Sequence, residues 1–397
     1  MRPPILFISF LAGLTTAALV PPRLHAKSTS GFSVPVSKTQ SSKRDFVRDW
    51  AAARQKWGKG IPEDVLSAFS LLDDDGLVDV QPLGSDDIYI ADVQIGNPPQ
   101  ALKIAIDTGS ADMWYKPDAS NTSRRMDDAE WAVEYMDGTH ANGIVYLDTV
   151  RLGGFELTDT AVQSAQAIAS RFEREIELSG IMGFAKSLPS NIEPPTPSLL
   201  DKLRPHLETP VFSVDLRRNA TGTFDFGHID TSRASDNITW LDANPASPHW
   251  DVTFDLTAWD GSHRVWWAHS FEATIDTGTT LLFLPASLAG MYWFDVPGMR
   301  VDPRLNNAFT FPCHLAEGLP DLMFKLPGEA EHVLTIPGSY LNYGPIDDDP
   351  EYCWGGMQSA EDLEVTIFGD VMLKALFVVF DLENNRVGFA NKHLDDE

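Results

Sequence analysis

The stretch Asp107-Thr108-Gly109-Ser110 returns 169 positions later as Asp276-Thr277-Gly278-Thr279. Each copy follows a short run of apolar and β-branched residues, Leu102 to Ile106 before the first aspartate and Ala273 to Ile275 before the second. Such runs favour a strand that ends in a turn at the aspartate. An apolar-apolar-glycine triplet lies downstream of each copy, at Ile181–Gly183 and Ile367–Gly369. The chain is therefore predicted to contain an internal repeat, with two copies of one β-strand unit.

Charge is distributed unevenly along the 397-residue chain, whose net charge is −27. Residues 1–72 contain 10 Lys and Arg against 4 Asp and Glu, a net of +6, whereas the remainder has 20 against 53, a net of −33. So acidic a body repels nucleic acid and anionic membrane surfaces, and we expect neither as a partner. It suits an acidic medium, where protonation of carboxyl groups reduces their mutual repulsion.

The N-terminus has the pattern of a targeting leader. Arg2 is followed by an apolar run from Ile5 to Val20 that includes small residues at Thr16 to Ala18. The run is too short for a membrane span and is typical of a secretory signal peptide, which we place at residues 1–18. The C-terminal residues 392–397 carry no lipid-anchor signal. We therefore expect a protein of the secretory pathway with no membrane anchor.

Further motifs accompany the two aspartates in a fixed order. They are Tyr89–Gln100, Trp114 seven residues after the first aspartate, Tyr135–Gly138, Ile336–Tyr340, Ile367–Asp370, Phe377–Asp381 and Val387–Ala390. With these motifs, which span most of the chain, the sequence resembles the pepsin-like aspartic proteases, in particular their secreted and vacuolar fungal members. An isolated Asp-Thr-Gly would indicate only a turn with an Asx hydrogen bond. Two copies with a hairpin motif between them are far more specific.

Short β stretches separated by Gly, Pro and Asn indicate an all-β architecture. The clearest are Ile88–Ile95, Leu102–Ile106, Ile144–Val150, Phe212–Leu216 and Thr223–Phe226. Helical patterns are few, at Arg44–Lys56, Ser198–Leu207 and Ala286–Tyr292. The resemblance implies a bilobal pepsin-like fold, in which two β lobes share an inter-lobe sheet and a flap hairpin covers a central cleft. We assign residues 75–244 to the N-terminal lobe and residues 245–397 to the C-terminal lobe.

Residues 19–74 form a basic segment that has a short apolar patch at Gly31–Val36 but could not bury a core of its own. Its charge suits a segment that lies across an acidic body. The resemblance implies a propeptide whose lysine pairs with the catalytic carboxylates. Lys56 is our first candidate for that lysine and Lys59 the second, while a disordered linker is the alternative interpretation. We place the mature N-terminus between Asp73 and Val80.

Asp107 and Asp276 are the candidate catalytic residues. Two carboxylates held together in a buried cleft cannot both ionise cheaply, so the pair keeps one proton over a wide pH range, as aspartic-protease dyads do in general. One carboxylate then acts as general base on a water molecule, and the protonated one donates to the amide carbonyl of the peptide. The sequence leaves open which of the two carries the proton.

Three supporting positions follow each aspartate: Thr108, Gly109 and Ser110 in the first copy, Thr277, Gly278 and Thr279 in the second. The glycines allow backbone to pass close to the carboxylates and to direct N–H groups at them. The hydroxyls at the last position can donate to the outer carboxylate oxygens. The resemblance implies that the two threonines directly after the aspartates bond across the lobes and keep the pair coplanar.

Between the copies, Glu134–Thr139 followed by the apolar Ile144–Tyr146 predicts a β-hairpin with Asp137 and Gly138 at its tip. An ordinary edge hairpin is the alternative. The resemblance makes it the flap, a lid that excludes water from the bound peptide and completes the site.

The resemblance also assigns substrate-binding residues. Tyr135 corresponds to the flap tyrosine, expected to bond Trp114, and Met136 stands where glycine is common, so Met136 affects specificity more than activity. The pocket before the scissile bond is assigned to Tyr135, Phe172, Leu178 and Ile181, with plain core packing as the alternative. An apolar pocket favours Phe, Leu or Met beside the cut.

The two cysteines, Cys313 and Cys353, are an even number in a secretory chain and suggest one disulfide, the pair that the resemblance also implies. Closing a loop of 40 positions stabilises a fold by about 4 kcal/mol in the chain-entropy treatment. Sequons that are candidates for N-glycosylation occur at Asn121, Asn219 and Asn237.

These observations predict a monomeric aspartic endopeptidase that is secreted, made as a zymogen, active at acid pH and independent of metals and organic cofactors. Its expected partners are polypeptide substrates, its own propeptide as an intramolecular inhibitor, and pepstatin-like inhibitors. A pepsin-like protein that only binds is the rival interpretation. Such proteins usually lose an aspartate, a motif glycine or the flap tyrosine, and this chain retains all three. A vacuolar enzyme is the alternative to a secreted one.

Overall fold

The computed structural model describes residues 31–38, 45–58, 89–116, 124–134, 140–167, 178–186, 191–218, 220–260, 265–326 and 332–394. Strands dominate these ranges. In the first part of the chain they are β1 (Phe32–Lys38), β2 (Tyr89–Ile95), β3 (Gln100–Asp107), β4 (Met113–Tyr115), β5 (Arg124–Glu134), β6 (His140–Leu152), β7 (Phe155–Ala167), β8 (Gly180–Gly183), β9 (Ile192–Glu193), β10 (Val211–Asp215), β11 (Gly222–Phe226) and β12 (Thr239–Asp242).

The second part of the chain continues the same pattern. Its strands are β13 (Asp251–Trp259), β14 (Trp267–Ile275), β15 (Leu282–Leu284), β16 (Arg300–Asp302), β17 (Ala308–Pro312), β18 (Leu322–Lys325), β19 (Val333–Ile336), β20 (Asn342–Ile346), β21 (Asp349–Gly355), β22 (Met357–Ser359), β23 (Thr366–Phe368), β24 (Leu376–Asp381) and β25 (Arg386–Asn391).

Helices are short in the described ranges. The α-helices are α1 (Phe46–Trp57), α2 (Leu199–Leu203), α3 (Ala286–Phe294) and α4 (Asp370–Leu373). Turns of 3-10 helix occur at Arg204–His206, Thr231–Arg233, Pro303–Leu305, Cys313–Gly318 and Gly338–Leu341. The three predicted helical stretches and the five predicted strands are all confirmed, with ends that shift by a few residues. None of the helices that the structure describes is long and apolar enough to cross a bilayer.

One large sheet joins the two halves of the molecule. Its strand order is β12-β25-β24-β10-β11-β1-β2-β3-β8-β4-β7-β6-β5-β9. The C-terminal strand β24 pairs with β10, with Phe380 opposite Phe212. The rest of the C-terminal half forms a seven-stranded and a four-stranded sheet, in the orders β19-β18-β13-β14-β23-β15-β22 and β16-β17-β21-β20. The predicted all-β fold with a sheet common to both lobes is confirmed.

Strand β1 shows that the basic N-terminal segment contributes to the large sheet. It lies between β11 and β2, with Val34 opposite Phe224 and Val36 opposite Ala91. Val34 and Val36 are buried. The Phe32 ring stacks on the rings of Phe155 and Phe226, with 5.1 and 5.0 Å between centroids. We expected this segment to lie across the body. Apolar residues alternate with other residues from Phe32 to Val36. This alternation indicates a strand, because alternate residues of a strand face the same side.

Helix α1 packs against the C-terminal lobe. Its buried side chains Phe46, Trp50 and Trp57 belong to a cluster with residues of the C-terminal half, and Phe46 stacks on Trp354 at 4.4 Å. A fully buried large apolar side chain stabilises a fold by about 1.5–3 kcal/mol, so this contact holds the segment firmly. The Tyr343 hydroxyl also donates to the buried carboxylate of Asp49 at 2.8 Å.

The predicted disulfide is present between Cys313 and Cys353. It joins the start of the 3-10 turn at Cys313–Gly318 to strand β21. The hairpin predicted between the two aspartates is also present, since β5 pairs with β6 and Glu134 lies opposite His140. Its tip, residues 135–139, lies outside the described residues.

Candidate active site

Asp107 and Asp276 lie at equivalent places in the two halves. Asp107 is the last residue of β3, which pairs in parallel with β8, and Asp276 follows β14, which pairs in parallel with β23. The second strand of each pair comes from the repeated apolar-apolar-glycine triplet, with Asp107 opposite Gly183 and Ile275 opposite Phe368. Both aspartates are buried, at 5% and 0% exposure. The repeated sequence thus places each carboxylate with the same two-strand support.

The two threonines after the aspartates tie the halves together. The backbone N–H of Thr108 donates to Thr277 Oγ1 at 3.1 Å, and that of Thr277 donates to Thr108 Oγ1 at 3.0 Å. Each hydroxyl in turn donates to a backbone carbonyl of the opposite half at 2.8 Å, Thr108 to Ile275 and Thr277 to Ile106. This reciprocal set of four bonds fixes the two loops against each other.

Donors from each loop also hold its own carboxylate. Gly109 N–H donates to Asp107 Oδ1 at 2.8 Å, and Gly278 N–H to Asp276 Oδ1 at 2.9 Å. A Cβ at either glycine would collide with the opposite aspartate, so no other residue fits. At the outer oxygens, the hydroxyls donate at 2.5 Å, Ser110 to Asp107 and Thr279 to Asp276.

The N-terminal segment enters the site through Lys56 and Trp57. Lys56 Nζ lies 2.8 Å from Asp107 Oδ1 and 3.0 and 3.1 Å from the two oxygens of Asp276. The Trp57 indole Nε1 donates to Asp276 Oδ2 at 3.0 Å. The chain continues along the C-terminal half, where the N–H of Glu364 donates to the Trp57 carbonyl at 3.0 Å. A lysine therefore bridges the carboxylates and occupies the space between them; Lys59, the second candidate, lies outside the described residues.

The two carboxylates have pKa values displaced in opposite directions. Burial raises the pKa of Asp107, and the neighbouring Asp276 raises it further. The Lys56 ammonium lowers this pKa, but not enough to offset the other two effects. Burial would also raise the pKa of Asp276, but the Lys56 charge and hydrogen bonds from Asp107, Thr279 and Gly278 outweigh it and lower that pKa to about 2. Lys56 has a raised pKa, because the two carboxylates outweigh its burial. The proton of the pair therefore belongs to Asp107 and the negative charge to Asp276.

His249 is a further titratable group at the site, and it was not among the predicted residues. Its ring meets the Trp57 indole edge-on, with 4.7 Å between centroids. Burial lowers its pKa, while Asp251 and Asp276 raise it. The sequence offered no pattern around His249 that pointed to the site. Trp57 was not predicted either, because its bond to Asp276 had no signal in the sequence.

The remaining predicted site residues divide into two groups. Trp114, Leu178 and Ile181 lie together in one buried cluster of the N-terminal half, with 7%, 1% and 7% exposure. Tyr135, Met136, Asp137, Gly138 and Phe172 lie outside the described residues. The low exposure of Leu178 fits core packing as well as the wall of a pocket, so its role stays a prediction.

Predictions about processing mostly fall outside the described residues. These include the signal peptide, the mature N-terminus between Asp73 and Val80, and the sequons at Asn121 and Asn219. Asn237 is described and lies exposed in the loop before β12.

The geometry provides one acid and one base a few ångströms apart. A protonated Asp107 can donate a proton, and an ionised Asp276 can accept one, with both held by fixed donors. No group of three His, Cys, Asp or Glu suited to a metal ion occurs within the part of the chain that the structure describes.

Comparisons with known proteins identify the family of this chain. The family model described as "Eukaryotic aspartyl protease" matches residues 88–392. Endothiapepsin of Cryphonectria parasitica is 36% identical over 80% of this chain and 78% of its own. Podosporapepsin of Podospora anserina is 32% identical over 98% of both chains, and aspergillopepsin-1 of Aspergillus fumigatus is 31% identical over 96% of this chain and 97% of its own.

Among solved structures, the aspartic proteinase from Irpex lacteus superposes with a TM-score of 0.64 at 20% identity, covering 78% of this chain and 95% of that one. This likeness shows that the fold is the same. The repeated motif, the coverage of the family model and the identity to several curated relatives together establish that the chain belongs to the eukaryotic aspartyl proteases and is an aspartic-type endopeptidase that acts on polypeptides.

Proposed function

We propose that this chain is the inactive precursor of an acid-acting endopeptidase, with Asp107 and Asp276 as its catalytic pair and the N-terminal segment as its inhibitor. The observation that carries the proposal is the Lys56 ammonium between the two carboxylates, 2.8 Å from Asp107 and 3.0 Å from Asp276. A water molecule and a scissile peptide need that same space. The alignment with podosporapepsin extends over 98% of both chains and so includes this segment.

Catalysis would follow from the proton distribution in the pair. Once Lys56 and Trp57 have left, the ionised carboxylate of the pair takes a proton from the attacking water, and the protonated one donates its proton to the carbonyl oxygen of the peptide. The loop donors Gly109, Gly278, Ser110 and Thr279 remain in place after the segment leaves. They hold the carboxylates in position without moving during the reaction.

Acidification would release the inhibitor through its electrostatic contacts. Lys56 is attracted by two buried acids, and the basic segment is attracted by a body whose net charge is strongly negative. As carboxyl groups take up protons, both attractions weaken while the charge of Lys56 stays. The segment would then separate and be cut between Asp73 and Val80.

Substrate preference and location complete the proposal. The cluster of Trp114, Leu178 and Ile181 supports an apolar pocket in the N-terminal half, so hydrophobic residues beside the scissile bond are favoured. Flap closure by Tyr135 to Gly138 would cover the bound peptide. The leader at residues 1–18 supports secretion, and the exposure of Asn237 supports a glycan at that sequon. Fractionation of producing cells distinguishes culture medium from vacuole.

The test uses the purified precursor, moved from neutral to acid pH. We expect no hydrolysis of denatured haemoglobin at neutral pH, then shortening by about 55 to 60 residues beyond the signal peptide, in keeping with the charge distribution. Pepstatin-sensitive hydrolysis should follow. Lys56→Met should give a precursor that is active at neutral pH or unstable, since loss of one partner of a buried pair costs about 3–5 kcal/mol.

Lys103→Met is the matched control, because Lys103 is an exposed lysine paired with the exposed Asp92. It should convert like the wild type. A precursor that is fully active at neutral pH with the segment attached would contradict the inhibitory role. If Lys59→Met disturbs conversion while Lys56→Met does not, the assigned lysine is wrong.

A further inference from the structure

His249 is held at the boundary between the two lobes. It lies just before β13, and its backbone N–H donates to Ser247 Oγ at 3.0 Å. A hydrogen bond links its ring to the backbone of Gly109 in the N-terminal half. The imidazole therefore has a fixed position beside the cleft, although the proposed reaction gives it no task.

In the precursor, Trp57 fills the space between His249 and Asp276. The indole Nε1 donates to Asp276 Oδ2 at 3.0 Å, and the indole ring meets the imidazole at an interplanar angle of 68°. Trp57 is only 8% exposed, so it closes this space to solvent. Once the segment leaves, a side chain of the bound peptide on the Asp276 side of the pair takes the place of the indole and contacts the same imidazole.

One ring nitrogen of His249 makes no hydrogen bond within the described part of the precursor. Nδ1 is buried and has no hydrogen-bond partner among the residues that the structure describes. A buried polar atom without a partner is unfavourable, so an occupant that bonds to Nδ1 is preferred over one that cannot.

The charges around the ring decide which occupant is preferred. Asp251 and Asp276 face it as carboxylates and favour its protonated form, whereas Lys56 opposes protonation. Departure of the segment removes the Lys56 charge and uncovers part of the ring. The imidazole then takes up a proton more readily in the mature enzyme, and a protonated ring donates from both nitrogens.

We propose that His249 is a specificity-determining residue for the peptide side chain that replaces Trp57, and that it selects the carboxylate of Glu or Asp over uncharged side chains. This inference rests on the proposed endopeptidase reaction and adds a polar site to it. The apolar cluster around Leu178 and Ile181 serves the other side of the scissile bond, so the two sides would select opposite chemistries.

The first test uses the activated wild-type enzyme and peptides that differ only at the first or second residue after the scissile bond, as Glu, Gln or Leu. At about pH 5, between the ordinary pKa values of Glu and His, kcat/KM should favour Glu over Gln and Leu by about tenfold at one of these positions. The Glu-to-Gln ratio should approach 1 at about pH 3, where Glu is protonated, and at about pH 7, where His is neutral.

The second test compares variants of the activated enzyme. His249→Phe should remove the preference for Glu while the peptides are still cut, and His249→Gln should retain a weaker preference that no longer declines between about pH 5 and pH 7. His206→Phe is the control, since His206 lies in the turn after α2 and is half-buried beside Phe155, at 5.9 Å between ring centroids. Its selectivity should equal that of the wild type.

The outcomes separate this inference from the proposed function. A wild-type Glu-to-Gln ratio that is flat with pH, or a preference for Glu that His249→Phe leaves within twofold, overturns the role of His249 but not the reaction. If His249→Phe does not fold, His249→Gln and the wild-type pH series decide. A wild-type enzyme that cuts no peptide contradicts the proposed function, and the inference about His249 fails with it.

Discussion

The two Asp-Thr-Gly loops have the same geometry but different charge. Each aspartate receives one backbone N–H bond, at 2.8 or 2.9 Å, and one hydroxyl bond at 2.5 Å. Yet the pKa of Asp107 is raised and that of Asp276 is lowered to about 2. The bonds supplied by the loops themselves match to within about 0.1 Å, so they do not account for the difference.

Two acids that share one proton have displaced pKa values in any case, with Asp107 donating to Asp276 here, and the N-terminal segment favours Asp276 as the charged member. Lys56 makes one hydrogen bond to Asp107 and two to Asp276, and Trp57 adds a donor to Asp276 alone. A negative charge is favoured where more donors converge. Duplication therefore explains the symmetric scaffold, and a segment without a counterpart in the repeat favours one of the two acids as the charged member. Four predictions test this comparison.

The largest effect is expected when either carboxylate is neutralised. Asp107→Asn and Asp276→Asn should each lower kcat by about 10²–10⁴-fold or more, because the reaction needs one acid and one base and asparagine supplies neither. Peptide hydrolysis is measured after an added endopeptidase has removed the N-terminal segment. Asp92→Asn changes an exposed aspartate and serves as the control. Near-normal activity in either variant would remove that aspartate from the mechanism.

The second prediction concerns the acid stability of the precursor. The pKa of Asp276 is about 2 in the folded chain against an ordinary 3.8, so its stabilising contribution is complete above pH 3.8 and is lost as the pH falls through 2. Asp107 has a raised pKa and acts in the opposite sense: its contribution is complete below pH 3.8 and is lost as the pH rises through its folded pKa.

The inactive variants make this measurable, because neither can cut itself. From pH 5 to pH 2, the Asp107→Asn precursor, in which Asp276 keeps its bonds to Lys56 and Trp57, should lose more unfolding free energy than the Asp276→Asn precursor. Urea unfolding at several pH values gives both curves. Parallel curves would show that the two aspartates are equivalent in the precursor.

Much of the fold could be predicted because it is local or repeated. The apolar runs before Asp107 and Asp276, and the triplets Ile181–Gly183 and Ile367–Gly369, are short patterns that specify strand and turn directly. The pairing of β1 with β11 and β2 was missed. The partners of a strand are distant in sequence, so a local pattern does not identify them. The alternation of Phe32, Val34 and Val36 was also hard to recognise in a segment of basic composition.

The site, like the fold, could be predicted where its residues are local or repeated in the sequence. Residues within each repeat could be assigned from their neighbours along the chain, and Lys56 was chosen from charge and the family resemblance. Trp57 and His249 reach the pair from elements far apart in the sequence. No periodicity or motif encodes such a contact, and only the packing of α1 against the C-terminal half brings the two rings together.

The third prediction removes the donor that belongs to one aspartate alone. Trp57→Phe keeps an aromatic ring beside His249 but deletes the N–H bond to Asp276, and hydrogen bonds to charged groups contribute about 1.5–3 kcal/mol. The segment should be held less tightly, so the precursor should convert about tenfold faster at a given acid pH. Trp267→Phe, at a half-exposed tryptophan, is the control. An unchanged conversion rate would mean that Lys56 alone sets the asymmetry.

The smallest effect is expected from the hydroxyls of the mature enzyme. Ser110 and Thr279 make equivalent bonds to the outer oxygens of their aspartates, and removal of the N-terminal segment deletes neither donor. If the inequality of the two acids comes from Lys56 and Trp57, then Ser110→Ala and Thr279→Val should shift the acidic limb of the kcat/KM profile upward by similar amounts, about one pH unit or less. The shift is upward because each hydroxyl stabilises an ionised carboxylate, so its loss raises the pH at which the pair takes up its second proton. Profiles measured from about pH 2 to pH 6 compare the two. A clearly larger shift for Thr279→Val would place the inequality in the loops themselves, and the second aspartate would then be the charged one with or without the N-terminal segment.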